Sequence, residues 1–139
     1  MYALLLSFII LIIGCQPLPP GVNIEHYKNQ FVEGVVVIDE KLKDKVPKGK
    51  KYLIISLSDT TVPMPIAVLN VEDPTFPYKF RIDEKHKIDQ SRFIAGMLIL
   101  KARLSKSPFA EAEKGDLVGQ VNVVAGTKGV RVVLNEVIE

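Results

Sequence analysis

The sequence has little of the chemistry on which most enzymes and metalloproteins depend. It contains one cysteine, two histidines and no tryptophan among 139 residues. A single cysteine excludes an internal disulfide framework and any metal site built from several thiolates. Glycine-rich phosphate loops, nucleophile elbows and His-Glu-x-x-His motifs are also missing, so familiar catalytic routes lack their residues. We therefore expect a protein that is not an enzyme and that has no resident cofactor.

The chain also lacks an excess of either charge. Its 18 lysine and arginine residues and 16 aspartate and glutamate residues give a formal net charge of +2. Because neutralising several phosphates requires a concentrated basic surface, nucleic acid is not an expected partner. No apolar run approaches the length of about 20 residues that a membrane-spanning helix needs, which excludes a polytopic membrane protein. A hydrophobic content of 47% excludes a disordered chain.

The hydrophobic residues are concentrated at the beginning of the chain. Thirteen of residues 1–15 are apolar, and the first charged residue is Glu25. The apolar stretch at 2–13 has the length of a signal-peptide hydrophobic region and is too short to cross a hydrocarbon core of about 30 Å as a helix. We therefore expect residues 1–14 to be an export signal. Because no basic residue precedes this stretch, a short uncleaved anchor is the alternative, and it leaves the rest of the chain on the same side of the membrane.

The only cysteine closes this apolar stretch. The sequence Ile-Ile-Gly-Cys, ending at Cys15, resembles the bacterial lipobox, in which the cysteine is acylated and becomes the new N-terminus. A buried free cysteine at the end of a helix is the alternative, but the proline-rich residues 16–21 cannot continue a helix. We expect Cys15 to carry lipid and residues 15–30 to form a tether. The resemblance implies a lipoprotein on the periplasmic face of a bacterial membrane, and Gln16 slightly favours the outer membrane.

From Phe31 onward the hydrophobic pattern changes to that of short β-strands. Residues 76–83 alternate strictly, with Phe76, Tyr78, Phe80 and Ile82 on one face, as in a half-buried antiparallel strand. Runs rich in valine, isoleucine and leucine also occur at 31–38, 51–57, 65–71, 96–105, 117–123 and 130–138. Seven strands separated by turn residues predict an all-β antiparallel sandwich over residues 31–139. The last run does not hold one register, and either a bulge or burial on both faces would explain it.

The order of several short motifs along this region resembles the C-terminal periplasmic, immunoglobulin-like domain of the cytochrome c-type biogenesis protein CcmI, also called CycH. The motifs are Met-Pro-Ile-Ala-Val at 64–68, Phe-Pro at 76–77, Ala-Arg-Leu-Ser-Lys-Ser at 102–107, Gly-Asp-Leu-Val-Gly at 115–119 and Val-Val-Leu-Asn-Glu-Val at 132–137. The resemblance implies an immunoglobulin-like fold and an accessory role in cytochrome c maturation. Family members carry transmembrane helices and a TPR region before this domain, so we expect a stand-alone, lipid-anchored form of it here.

Prolines and large apolar residues bracket the third predicted strand and indicate a contact surface. Its residues are Met64, Pro65, Phe76, Pro77 and Tyr78. Proline confines such segments to strand starts or sheet edges, where backbone groups and apolar side chains are available to a partner peptide. Prolines also protect an edge strand against aggregation, which is the alternative interpretation. Together with the resemblance, these residues predict a surface that binds apocytochrome c or another cytochrome c maturation protein.

His86 supports a different hypothesis, in which the protein carries haem or copper. With Met64 or Met97 it could form a loose site for Cu(I) or haem iron. The simpler interpretation is a solvated loop histidine and a core methionine, since methionine often fills gaps in cores. His86 is therefore a weak candidate metal ligand. A purely structural envelope lipoprotein is the third hypothesis.

Overall fold

Short runs of valine, isoleucine and leucine form eight β-strands in the computed structural model, which describes residues 29–109 and 111–139. The strands are β1 (Phe31–Ile38), β2 (Tyr52–Asp59), β3 (Ala67–Glu72), β4 (Tyr78–Asp83), β5 (Met97–Ser105), β6 (Leu117–Val124), β7 (Val130–Leu134) and β8 (Glu136–Val137). Two short 3-10 helices, Glu40–Lys45 and Glu84–His86, lie in the connections. The predicted signal peptide at 1–14, Cys15 and residues 16–28 of the predicted tether lie outside the described residues. Within the described part of the chain, no helix is long and apolar enough to cross a membrane.

The strands form two sheets, and this arrangement confirms the predicted all-β, immunoglobulin-like sandwich. One sheet has three strands in the order β4-β1-β7, and the other has five in the order β3-β2-β5-β6-β8. Neighbouring strands are antiparallel, as predicted, except for β1 and β7. Those two strands run parallel, with Gly34 opposite Val130.

Alternate residues of the strands fill the space between the sheets. On β4, Phe80 and Ile82 are buried while Arg81 between them is exposed, as the alternation predicts. Among residues 29–109 and 111–139, eighteen hydrophobic residues are buried, and they lie between Val32 and Leu134. The core of the described residues therefore draws on strands of both sheets.

The final stretch of chain belongs to both sheets. β7 pairs with β1 in the three-stranded sheet, the pairing stops at Asn135, and β8 then pairs with β6 in the five-stranded sheet. At the break, the backbone N–H of Asn135 donates to the carbonyl oxygen of Val118 on β6, at 3.0 Å. The predicted single strand over 130–138 is therefore two strands. Its hydrophobic pattern holds no single register because the chain changes sheets at Asn135.

Two glycines allow β7 to approach both of its neighbours. Gly34 lies on β1 and Gly119 lies on β6. A Cβ atom at Gly34 would overlap the carbonyl oxygen of Val130, and one at Gly119 would overlap the carbonyl oxygen of Val133. The sandwich closes in this way only because these two positions have no side chain.

The two ends of the sandwich carry different loops. β1 begins beside the end of β4, since Phe31 pairs with Asp83, and β5 begins beside the end of β6, since Met97 pairs with Val124. This end, called the entry end below, also carries the loops at 60–66, 84–96 and 125–129. The opposite end, called the far end, carries the connections at 39–51, 73–77 and 106–116. Because the described chain starts at Asn29, residues 1–28 join the domain at the entry end.

Replacing Gly119 by alanine tests the closure of the sandwich. The added Cβ would collide with the backbone of β7. We expect Gly119→Ala to lower the free energy of unfolding by about 2 kcal/mol or more, since overpacking typically costs about 1–3 kcal/mol. Urea denaturation measures the change. The control is Gln120→Ala at the adjacent exposed position, which should stay within about 0.5 kcal/mol of wild type. Equal effects of the two substitutions would contradict the proposed role of the glycine.

Candidate docking groove

The outer face of the five-stranded sheet forms a groove of about 850 Å³. Because successive residues of a strand point to opposite faces, this groove is lined by the residues that alternate with core positions. Two rows of side chains cross its floor. The first row is Val68, Ser56, Lys101 and Gln120, and the second is Asn70, Ile54, Arg103 and Val118. Each row therefore mixes apolar groups with hydrogen-bonding groups.

On the outer face of the three-stranded sheet, three charged side chains pair with one another. Arg81 donates from Nη1 to Oε1 of Glu33 at 2.5 Å and from Nε to Oδ2 of Asp83 at 3.3 Å. Its guanidinium also lies 4.3 Å from the ring centroid of Phe31. Lys101 is exposed on the groove floor and, like Lys79 and Arg131 on the other sheet, forms none of the ion pairs found in residues 29–109 and 111–139. The groove therefore presents a positive charge that is available to a ligand.

Arg103 fastens the loop that bounds the groove at the far end. Its Nη1 donates to Oδ2 of Asp116 at 2.8 Å, and its Nη2 donates to the carbonyl oxygen of Phe109 at 2.6 Å. The Asp116 side chain is almost fully buried and also accepts the backbone N–H of Glu113 at 2.8 Å. A buried carboxylate that loses its partner is costly, so this pair holds the loop in place. Pro108, in the same loop, lines the groove.

Arg92 fastens the segment that bounds the groove at the entry end. Its Nη1 donates to the carbonyl oxygen of Met64 at 2.6 Å, and its Nη2 donates to Oδ2 of Asp59 at 3.0 Å. The other carboxylate oxygen of Asp59 accepts the backbone N–H groups of Thr61 and Val62, at 2.9 and 2.8 Å. The bonds from Val62 and from Arg92 hold the pKa of the Asp59 carboxyl well below its ordinary value. The hairpin between β2 and β3 is thus bound to the loop between β4 and β5.

The structure separates the predicted contact residues into two groups. Met64 and Pro65 lie at the entry end, where Pro65 lines the groove and the Met64 side chain is 63% exposed. Phe76, Pro77 and Tyr78 follow β3 at the far end, and the two aromatic residues are partly buried against the core. The six residues of β3 span roughly 20 Å at about 3.3 Å per residue. Only the first group therefore lies beside the groove, and a partner contact at either group stays a prediction.

His86 has a structural role in this fold. Its Nδ1 accepts the backbone N–H of Asp83 at 3.0 Å and so caps the 3-10 helix Glu84–His86. Among the described residues, no group of three or more histidine, cysteine, aspartate or glutamate side chains could hold a metal ion. Met97, which the sequence predicts to be a core residue, is 52% exposed. The haem or copper hypothesis stays a prediction. Nδ1 of His86 is occupied by the hydrogen bond from Asp83, so a metal ion would have to bind the other ring nitrogen, Nε2.

Sequence reasoning missed Lys101, Arg103 and Arg92 as site residues. A signal existed for the first two, because they occupy alternate positions of an otherwise apolar strand and so share its outer face. For Arg92 there was no such signal. Its partners Asp59 and Met64 lie 33 and 28 positions earlier in the chain. Only the folded structure brings Asp59 and Met64 next to Arg92.

The family of this chain follows from a comparison with known protein families. Residues 32–135, from the start of the core through β7, match the family described as the cytochrome c-type biogenesis protein H Ig-like domain. The chain belongs to this family. The match confirms the resemblance predicted from the order of the motifs. Membership of the CycH Ig-like family indicates a role related to cytochrome c biogenesis, in which this domain is an accessory part. The same membership indicates a periplasmic or envelope location.

Two further proteins resemble this CycH Ig-like chain. A protein of Aquifex aeolicus (strain VF5), described as an uncharacterized protein, is 46% identical over 143 positions, which cover 98% of this chain and 94% of the relative. Among solved structures, an alternative pilotin from the type II secretion system of Vibrio cholerae is 17% identical and covers 79% of this chain and 97% of its own, with a TM-score of 0.48. A likeness at that level carries no functional argument.

Replacing Asp59 by asparagine tests the contact that holds the entry end of the groove. We expect Asp59→Asn to lower the free energy of unfolding at pH 7 by about 1–2 kcal/mol, because charge-assisted hydrogen bonds are lost. The folded-state pKa of Asp59 lies below its unfolded value of about 3.9. Its stabilisation is therefore present above about pH 4 and is lost as the pH falls through the folded-state pKa.

Urea unfolding at a series of pH values measures this effect. The difference between wild type and Asp59→Asn should shrink as the pH is lowered below about 4. Asp44→Asn removes an exposed carboxylate from the 3-10 helix at the far end and should change stability by no more than about 0.5 kcal/mol. A difference for Asp59→Asn that stays constant with pH would show that the carboxylate charge is not responsible.

Proposed function

We propose that this protein is a lipid-anchored periplasmic accessory protein of cytochrome c maturation, whose groove docks an extended segment of apocytochrome c or of another maturation protein. The observation that carries the proposal is the open groove on a domain of a cytochrome c biogenesis family. Family membership supplies the process. The groove supplies a surface on which a partner can bind.

The groove suits an extended segment better than a compact ligand. Its floor crosses four strands, from β3 to β6, and its two ends are bounded by proline-containing loops. Side chains such as Ile54 and Val68 offer apolar contacts, while Asn70 and Gln120 offer hydrogen bonds. An extended segment presents its side chains alternately, so it can match this mixture of groups. An apocytochrome lacks the haem around which the mature protein packs, which leaves such segments accessible.

Lys101 places a positive charge on the floor of the groove. It lies near the middle of the floor, between Ser56 on β2 and Gln120 on β6. Its ammonium group favours a carboxylate on the docked segment, and the mixed polar surroundings fix the position of that carboxylate. We therefore propose Lys101 as a residue that sets both the register and the affinity of the bound segment.

Membrane attachment through Cys15 completes the proposal. The sequence that ends at Cys15 resembles a lipobox, and residues 16–28 connect it to the entry end of the domain. The alignment with the Aquifex aeolicus relative takes in 98% of this chain, so it includes most of the residues before β1. A lipidated cysteine with more than one acyl chain holds a protein durably on a membrane, at about 0.8 kcal/mol per buried methylene.

Charge reversal at Lys101 tests the proposed docking. We expect the purified protein to bind fluorescently labelled apocytochrome c, and we expect Lys101→Glu to weaken this binding at least about fivefold, a loss of about 1 kcal/mol. Fluorescence anisotropy titration measures the affinity. The matched control is Lys79→Glu, which reverses an exposed lysine on the outer face of the other sheet and should leave binding unchanged. If both substitutions weaken apocytochrome binding equally, or if neither weakens it, the groove is ruled out as the binding surface.

A second pair of variants compares the two predicted contact groups. Val68→Asp places a charge in the groove, whereas Phe76→Asp places one beside the far end of β3. If the groove is the binding surface, Val68→Asp abolishes binding. A loss of binding confined to Phe76→Asp, in a variant shown by circular dichroism to be folded, would move the contact surface to Phe76 and its neighbours.

Replacement of Cys15 tests the membrane anchor. In cells, we expect wild-type protein in the membrane fraction and a mass increase on the N-terminal cysteine, measured by mass spectrometry of the purified chain. Cys15→Ser removes the acylated thiol, so the protein should lose this modification and should no longer be processed at that residue. An unmodified Cys15 in wild-type protein would contradict lipidation and would favour the uncleaved anchor.

A further inference from the structure

The exposed apolar side chains of the domain are concentrated at the entry end. Seven large hydrophobic residues of the described chain are exposed, and six of them lie at this end. The seventh, Phe109, belongs to the loop at the far end. The six, called the apolar end below, are Val62, Met64, Ile88, Phe93, Met97 and Val124, with exposed fractions of 45–63%. Scattered surface hydrophobics are ordinary, whereas a cluster at one end indicates a contact surface.

Hydrogen bonds between loops and strands hold the segments that carry these six side chains. Arg92 binds the backbone of Met64, and the backbone N–H of Ile88 donates to the carbonyl oxygen of Ile66 at 2.8 Å. The residues Met97 and Val124 face each other across β5 and β6. The apolar end is therefore built from segments that hydrogen bonds hold together.

The position of the chain entry points to what covers this surface. Residues 1–28 join the domain at the entry end, beside the apolar end. Thirteen residues, 16–28, separate Cys15 from the described domain, and a flexible chain of that length has an r.m.s. span of roughly 20 Å. The eight residues of β1 alone span about 26 Å, so the far end lies well beyond the anchor. A chain that enters at this end favours the apolar end as the part of the domain nearest to the anchor.

Two lysines of the entry end lie beside aromatic rings. Lys87 lies 5.3 Å from the ring centroid of Phe93, and Lys128 lies 5.9 Å from that of Phe31, so each places an ammonium group beside an aromatic ring at the entry end. Aromatic rings flanked by lysines are typical of the boundary between headgroups and acyl chains. The larger lysine cluster, at residues 41–51, lies at the far end, so the orientation rests on the apolar side chains and the chain entry rather than on net charge.

We propose that the apolar end is a membrane-contacting surface that inserts its side chains among the headgroups of a bilayer when the domain is tethered by its N-terminus. This proposal rests on the membrane anchoring proposed above. It adds that the domain lies against the bilayer in one orientation, with the groove accessible from the side.

Fluorescent labels at the two ends of the domain test the orientation. A chain of residues 16–139, in which a histidine tag replaces Cys15, is tethered to vesicles of phosphatidylethanolamine, phosphatidylglycerol and nickel-chelating lipid. This tether does not depend on acylation, so the result is separate from the Cys15→Ser test. The environment-sensitive probe NBD is attached at Phe93→Cys and, as the matched control, at Phe109→Cys, since both phenylalanines are exposed.

The expected result is a blue shift of the emission at position 93, with quenching by doxyl-labelled lipids, and neither change at position 109. No shift at position 93, or equal shifts at both positions, would overturn the proposal. A blue shift at position 93 that appears without vesicles and grows with protein concentration would identify a second copy of the chain as the occupant, and would overturn it as well.

Discussion

The closure of the sandwich depends on the close approach of β7 to strands of both sheets. β7 pairs with β1 along Gly34, and its continuation crosses to β6 at Asn135, beside Gly119. Neither approach is sterically compatible with a Cβ atom at the glycine. The same crossing adds β8 to the edge of the five-stranded sheet beside β6, and Asn135 and Glu136 therefore line the groove on the outer face of that sheet. The constraint that closes the core also shapes the surface that we propose binds a partner.

The groove is bounded by two arginines that work in the same way. Arg92 and Arg103 each bind a carboxylate and a backbone carbonyl oxygen, and each joins segments that the strands alone would leave separate. Guanidinium groups suit this role because their donors form a planar fork that reaches two acceptors at once. Lys101 lies between them, where no ion pair of the described residues neutralises it. The two arginines thus hold the loops at the ends of the groove in place, while Lys101 stays outside the ion pairs on the groove floor.

The proposed orientation links the two surfaces of the domain. The groove follows the strands from the entry end, near Pro65, to the far end, near Pro108. With the apolar end against the bilayer, the groove stands upright from the membrane surface and faces sideways. A partner that is itself membrane-bound, or a chain emerging from the membrane, could then reach it without displacing the domain. This arrangement is consistent with an accessory domain of a process that takes place in the cell envelope.

The sequence by itself determined the positions of β1 to β6, the fold class and the family. Alternation in 76–83 and the run at 31–38 are properties of neighbouring residues, because side chains along an extended backbone alternate whatever lies beside them. The order of the motifs was likewise sufficient to predict the CycH family, which the match over 32–135 confirms. The tertiary structure alone decided the change of sheets at Asn135, the groove, its arginine contacts and the clustering of six apolar side chains at one end. These features join residues far apart in the chain, such as Asp59 and Arg92, and their proximity follows from how the whole core packs rather than from any local pattern.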